Sequence, residues 1–251
     1  VLMPIVPYDP YEMDYTNRNS TGFSPPSLKN GHFCGTDKTE RDILARLLYG
    51  FRIAMTFAIG YLVLTYLIAI AAGSLMGYMG GKTDMLGLRF VEIWANVPFL
   101  YMVIILVSVM PGGWGIGWQV SSLLIIMVLF SWTGMTYYIR ASVYKEKARD
   151  YISAAKVIGA GPFRIVFKHL LPNVVSTLVT FAPFTIAAAI SSITALDFLG
   201  YGLPPPTPSW GELLKQGVNN LRTAPWIVTS TVTALVLTLT LVTFVGEAIR
   251  E

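Results

Sequence analysis

The chain has one cysteine, Cys34, two histidines, His32 and His169, and charged residues at only 13% of its positions. A lone cysteine excludes a disulfide framework and a thiolate metal site. The few charges are also unevenly placed: residues 53–81, 93–139, 170–196 and 223–246 contain no Asp, Glu, Lys or Arg. With 54% hydrophobic residues overall, those stretches rule out a soluble domain. Crossing a bilayer as a helix takes about 20 apolar residues. The first, third and fourth stretches each hold one span, and the second is long enough for two, with a break at Pro111-Gly112-Gly113-Trp114-Gly115. Five membrane helices are expected. Catalytic signatures are missing too: there is no HExxH, no GxSxG and no pair of intramembrane carboxylates. An intramembrane enzyme or proton-coupled pump needs a titratable group at depth, and the spans offer none. Glu92 and Asp197, at their borders, are expected near water, with Glu92 pairing to Arg89 one helical turn away.

What charge there is sets orientation. Lys82 and Arg89 lie in 82–92, and Arg140, Lys145, Lys147, Arg149, Lys156, Arg164 and Lys168 in 140–172. Basic residues accumulate on the cytoplasmic side, so both segments are expected there, and residues 1–50 and 197–222 outside. The net charge of +4 is thereby explained by topology and does not call for nucleic acid. Val1 to Pro7 read like the exit of an earlier apolar segment, so a stretch upstream is expected.

Residues 7–37 are polar and fit an extended extramembrane segment. Asp37-Lys38-Thr39-Glu40 has capping-box spacing, with Asp37 as N-cap. Ile43, Leu44, Leu47, Leu48 and Phe51 then share a face that Lys38, Asp42 and Arg46 avoid. This is either a surface amphipathic helix feeding the first span or the wet end of that span. Gly73 and Gly77 have the small-xxx-small spacing of close helix packing. Gly80-Gly81-Lys82-Thr83 looks like the tail of a phosphate-binding loop, but position 76 is Met where that pattern needs Gly and a membrane helix precedes it, so a turn is expected.

The segment 140–172 is far longer than a connector requires. Tyr151, Ala154, Ala155 and Ile158 follow i, i+3, i+4, i+7, a short helix with one apolar face. Asp150, Ser153 and Lys156 point elsewhere. Gly159-Ala160-Gly161-Pro162 stops that helix and starts another, Phe163 to Leu171, which is expected to end at Pro172. Two alanines on an exposed face suit insertion into a partner's groove; packing against its own bundle is an equal alternative.

Ala154-Ala155, Gly159 and His169-Leu170-Leu171-Pro172 resemble the EAA loop of ABC importer permeases, Glu-Ala-Ala-x3-Gly-x9-Ile-x-Leu-Pro. Here Ser153 replaces the Glu and His169 the Ile, departures similar to those of the peptide-transporter branch, where an Asp-Tyr pair such as Asp150-Tyr151 precedes the motif. Tyr8-Asp9-Pro10, Gly35-Thr36-Asp37, Leu47-Leu48-Tyr49-Gly50 and the Arg89, Glu92, Pro98 pattern resemble the C-type subunit of dipeptide/oligopeptide permeases. So does Leu196-Asp197-Phe198-Leu199-Gly200-Tyr201-Gly202-Leu203-Pro204-Pro205, continuing to Trp210-Gly211-Glu212. Gly77-Tyr78-Met79-Gly80-Gly81-Lys82 and Ala224-Pro225-Trp226 resemble the Yej-type oligopeptide branch.

The resemblance implies an all-α integral membrane protein of the bacterial inner membrane. It would be a six-helix type I importer permease (MetI-like core) with five helices visible and the first upstream, a segment 1–50 before a core 51–251. It implies a second permease subunit as heterodimer partner, two cytoplasmic ATPase subunits that bind ATP and Mg, a periplasmic peptide-binding protein and a peptide substrate. The chain itself would hold no cofactor or metal and would not be an enzyme. Asp150, Tyr151, Ala154, Ala155, Ile158 and Gly159 would form the ATPase-coupling helix, with Leu171 and Pro172 linking it to the next span. Pro204, Pro205, Trp210, Gly211 and Glu212 would form a periplasmic docking loop, with Pro204-Pro205-Pro206 stiff and extended. A nickel or other metal-chelate cargo fits the same architecture. An ATP-independent channel and an intramembrane enzyme are the readings from other classes.

Overall fold

A computed structural model describes residues 6–14, 22–110 and 115–250 of the chain. Nine α-helices are ordered along them: α1 (Ile43–Met79), α2 (Gly81–Ala95), α3 (Phe99–Ser108), α4 (Ile116–Lys147), α5 (Asp150–Val157), α6 (Pro162–Arg164), α7 (Leu171–Leu199), α8 (Trp210–Asn219) and α9 (Pro225–Arg250). A π-helical stretch, Ile165–Leu170, joins α6 to α7. Among the described residues four helical segments are long and apolar enough to cross a membrane, and α2 with α3, bent by 69° at residues 96–98, passes the same length and composition test only when the two are taken together, as a broken span or a re-entrant pair. The described residues within 1–58, 111–120 and 187–243 form one compact unit, and those within 59–110, 121–186 and 244–251 a second.

The spans are where charge is missing, but their edges differ from expectation. At 37 residues, α1 is roughly 55 Å long at 1.5 Å per residue, more than a hydrocarbon core needs; residues 43–52 are its first turns rather than a separate helix, and Ile43, Ala45, Arg46 and Leu47 in them are buried. It begins at Ile43, six residues after the expected cap. Asp37 does not cap it: its Oδ1 accepts from the backbone N–H of Thr39 and of Arg41 at 2.9 and 3.0 Å, a local turn that competes with helix. Glu40 has φ 60°, outside the helical region. Asp42 is the cap, its Oδ1 accepting from Ala45 N–H at 2.7 Å.

Residues 82–92 are helical rather than a connecting loop, since α1 turns into α2 at Gly80 and Gly81, φ 65° and 54°. This is the turn expected there. A bend that was not expected falls at Pro98, which lacks an N–H and clashes with a carbonyl one turn back; the break expected at Pro111 to Gly115 lies between the end of α3 at Ser108 and the start of α4 at Ile116, with 111–114 themselves outside the described residues. Pro172 likewise fails to end a helix. The Leu171 N–H donates to Val166 O, five residues back, and this wider turn accommodates the proline that follows. The result is one 38-residue helical run, Pro162–Leu199.

In the second unit, α1 and α4 approach closely. A Cβ at Gly73 would stand 2.8 Å from Ile139 Cβ and 2.9 Å from Thr136 O; one at Gly77 would stand 2.9 Å from Val143 Cβ. The small-xxx-small pair therefore serves a contact inside the chain. Ile139 and Val143 are fully buried in the core that this contact begins, with Ile152, Ile165, Leu170 and Val174. Several polar side chains within the long helices turn back on their own backbone: Thr136 to Trp132 O, Thr180 to Ser176 O, Thr185 to Phe181 O and Ser191 to Ala187 O, at 2.9 to 3.1 Å. We expect Gly73→Leu to lower stability in detergent by about 2 kcal/mol through overpacking. Gly134→Leu, where nothing lies within 4 Å, should change it by less than about 0.5 kcal/mol; thermal unfolding of the two variants checks the difference.

Candidate functional site

Two surfaces carry the residues singled out in the sequence. The first is α5 and its flanks, in the second unit. Asp150 opens the helix and complements its dipole. A Schellman motif closes it: Ala160 N–H donates to Ala155 O and Gly159 N–H to Lys156 O, both at 2.9 Å, with Gly159 at φ 86°. The start of a new helix at Pro162 is also as expected.

The face assignment of α5 needs correction. Ile152 is fully buried and Ala155 is 8% exposed, so this pair packs inward and Ile152 joins the core with Ile165 and Leu170. Ala154 faces outward with Val157 and Ile158, the last two 89% and 86% exposed. The helix has two apolar stripes, and the bulkier Ile152 takes the inner one; Tyr151 lies between them, held by its hydroxyl. Just beyond, Phe163 and Phe167 stack at 4.8 Å and are both exposed. Sequence reasoning missed Ile152, Val157 and the Phe pair, although Ile152 and Ala155 are themselves three residues apart, a second register of the same period. Leu171 is half-buried, and Pro172 is exposed on the helix surface.

The end of α4 is gripped from the α1–α2 turn. Asp84 accepts from Arg140 Nη2 at 2.6 Å and from the Tyr144 hydroxyl at 2.8 Å. Lys147 Nζ donates to Tyr78 O, satisfying a carbonyl at the C-terminal end of α1.

The second surface lies in the first unit, where residues 22–50 meet 197–226. The loop after α7 was expected to present its residues outward. Trp210 and Gly211 are instead buried. The Trp210 indole donates to Leu47 O at 2.9 Å, and a Cβ at Gly211 would stand 2.2 Å from Thr194 O. Ser209 caps α8, accepting from Glu212 N–H, and donates to Asp197. Asp197, expected near water, is 8% exposed and also accepts from Leu203 N–H. The proline run is a turn rather than an extended piece: the 205–206 bond is cis, and Thr207 N–H donates to Pro204 O at 3.1 Å. Pro205 and Pro206 are exposed and Pro204 is partly so.

Residues 22–42 are packed around polar groups. Arg46, expected on a wet face, is fully buried and donates to Glu212. Arg41 pairs with Asp37 at 2.7 Å and lies 3.6 Å from Glu212, so two arginines balance two carboxylates. His32, 1% exposed, lies between Asp42 at 2.8 Å and Asp14 at 3.2 Å with Tyr8 stacked on its ring. Burial and then the Asp14, Asp42 and Glu12 carboxylates raise the Tyr8 hydroxyl above its ordinary pKa. Burial and then Asp42 likewise raise the Cys34 thiol above its ordinary pKa, which disfavours the thiolate.

The long apolar helices with hydrogen-bonded polar ends define a multi-pass membrane protein. The fold is that of type I ABC importer permeases. A chain of the MetNI methionine ABC transporter, inward facing, aligns with TM-score 0.65 at 17% identity, covering 82% of this chain and 95% of that one. The profile of the family described as "Binding-protein-dependent transport system inner membrane component" matches residues 69–251, and the chain belongs to that family of the bacterial inner membrane. It is 41% identical over 225 residues to the peptidoglycan transport system permease protein YejE of Agrobacterium fabrum. It is 42% identical over 229 residues to the inner membrane ABC transporter permease protein YejE of Escherichia coli. Those alignments take in 90% and 91% of this chain but 57% and 64% of the relatives' own lengths. The oligopeptide transport system permease protein OppC of Haemophilus influenzae is 31% identical over 252 residues, 100% of this chain and 79% of that protein.

Losing one partner of a buried ion network leaves the others uncompensated. Arg46→Met should therefore cost about 3 kcal/mol, and Arg46→Met combined with Glu212→Met should recover part of it, because Arg41 and Asp37 then balance. Thermal unfolding of the single and double variants is the measurement.

Proposed function

We propose that the chain is a permease subunit of an ATP-driven importer that moves peptides, or fragments that carry peptides, inward across the bacterial inner membrane. On this reading it pairs with a second permease subunit. Two cytoplasmic ATPase subunits bind ATP and Mg and carry out hydrolysis, so this chain is a transport subunit without a cofactor of its own. A periplasmic binding protein delivers the cargo. The named cargoes of the relatives, peptidoglycan and oligopeptide, support a peptide-bearing substrate over a metal chelate. The abundance of basic residues between 140 and 172 supports a cytoplasmic position for α5, and with it an outer position for 1–50 and 197–222.

The observation that carries the proposal is the outward stripe of α5. Ala154, Val157 and Ile158 stand in solvent while Ile152 anchors the helix from behind. Such a stripe is a knob for a partner's groove, fixed at its exit by Gly159. Seated in an ATPase subunit, it would feel the ATPases draw together when ATP binds, and ATP would favour one arrangement of the spans by its differential binding energy. Pro205 and Pro206, exposed beside buried Trp210, are the part of the outer loop available to a binding protein. Trp210, Gly211 and Glu212 hold that loop in place.

Ile158 is the residue to test, because changing Ala155 would disturb the chain's own core. In proteoliposomes holding both permeases, the ATPases and the binding protein, wild type should hydrolyse ATP faster when peptide is added. Ile158→Glu should fold normally and lower both peptide uptake and the stimulated rate by about ten-fold, a loss of the order of one hot-spot contact. Uptake that persists without ATP would instead mark a channel.

A further inference from the structure

Tyr151 adds little to the outward stripe; what distinguishes it is its hydroxyl. That oxygen stands where three helical segments converge. It donates to Glu146 Oε2 at 2.8 Å, near the end of α4, and accepts from Asn173 Nδ2 at 3.2 Å, in the first turn of α7. The same Asn173 amide donates to His169 O at 2.7 Å in the π-helical stretch, and Glu146 is also 3.3 Å from Arg149 Nε. A phenol has one proton to donate and lone pairs to accept with, and here both capacities are used. The ring is 37% exposed, so apolar burial does not account for its position. Burial and then the Glu146 hydrogen bond raise the phenol above its ordinary pKa, which keeps it protonated as the donor to a carboxylate.

The covalent route from α5 to α7 is indirect. It reverses direction at the Schellman turn of Gly159, passes Gly161 and runs through the π-helical turns of 165–170. A displacement of α5 passed along the backbone would have to travel through all of these before it reached α7. The apolar contact of Ile152 with Ile165 and Leu170 is non-directional and allows sliding. The hydroxyl bridge bypasses both: it joins position 151 directly to position 173 and holds position 146 at the same time, with a directional bond to a charged acceptor.

We propose that Tyr151 is a positioning residue whose hydroxyl clips α5 to the end of α4 and the start of α7, so that movement imposed on α5 reaches both spans as one rigid displacement. This deepens the transport reading and rests on it. Glu146 and Asn173 are the two jaws of the clip. Ala154, Val157 and Ile158 receive the push, and Tyr151 passes it on.

The test is the number of penta-alanine molecules taken up per ATP hydrolysed by the reconstituted complex. Tyr151→Phe keeps the ring and removes only the oxygen. It should assemble and hydrolyse ATP, with uptake per ATP lowered about five-fold or more, the lower range of an allosteric coupling. Asn173→Leu should move the ratio the same way. Tyr151→Phe combined with Asn173→Leu should be no worse than the more severe single variant, since both cut one connection. A merely structural role would lower assembly or total ATPase and leave the ratio unchanged. A Tyr151→Phe complex with the wild-type ratio overturns the clip, as does one that cannot assemble, or a double variant whose losses multiply. A wild-type complex with no peptide-dependent ATPase and no uptake overturns the transport reading, and the clip falls with it.

Discussion

Hydrocarbon offers a polar atom no partner, and a chain that crosses a bilayer must meet every such demand from within. Here the central stretches of the long helices carry no charge, and Thr136, Thr180, Thr185 and Ser191 turn back onto their own carbonyls. Pro172 removes a backbone donor, and the π-helical stretch before it widens the turn so that the helix continues. Near the helix ends polar side chains meet: Asp84 accepts from Arg140 and Tyr144, Arg46 and Arg41 pair with Asp37 and Glu212, and the His32 ring hydrogen-bonds Asp42 and Asp14. Each pairing ties a loop or helix end to a span, so the same constraint that clears the spans of charge also fixes the loops.

Within the second unit this produces a chain of fixed positions. The bare backbones at Gly73 and Gly77 let α1 lie against α4. That contact brings Arg140, Tyr144 and Lys147 to the α1–α2 turn, where they hold Asp84 and Tyr78 O. The end of α4 is thereby held, and α5 follows only two residues later. Ile152 seats α5 in the core and the Schellman turn at Gly159 ends it. The outward stripe of Ala154, Val157 and Ile158 is thus presented on a rigid base, although the helix that bears it has only 8 residues.

The parts of this arrangement that rest on local chemistry were legible in the sequence. Charge-free stretches mark the spans, Gly80-Gly81 the turn between α1 and α2, and Gly159 and Pro162 the end of α5 and the start of α6. Where the reading failed, a distant or competing partner decided. Arg46 looked solvent-facing by helical periodicity, yet its partner Glu212 is 166 residues away, and nothing local announces it. Asp37 and Glu40 had capping-box spacing, but the Asp37 carboxylate bonds the turn before the helix instead. On α5, Tyr151, Ala154, Ala155 and Ile158 fitted one stripe while Ile152 and Ala155 fitted another. Periodicity could not choose between them, because the choice depends on Ile165, Leu170 and the rest of the core that α5 meets. Trp210 and Gly211 were read as part of an outer docking loop, whereas the acceptor of the indole is Leu47 O on α1, which nothing near residue 210 in the sequence announces.

The central claim is that the outward stripe of α5 is the place where an ATPase subunit takes hold. Its most direct test is a photo-crosslinking amino acid at position 158, a site 86% exposed in this chain, introduced into the complex assembled in membranes. The account predicts that irradiation joins this chain to an ATPase subunit as the main product. Crosslinks to the second permease or to lipid alone, with the ATPase untouched, would contradict it.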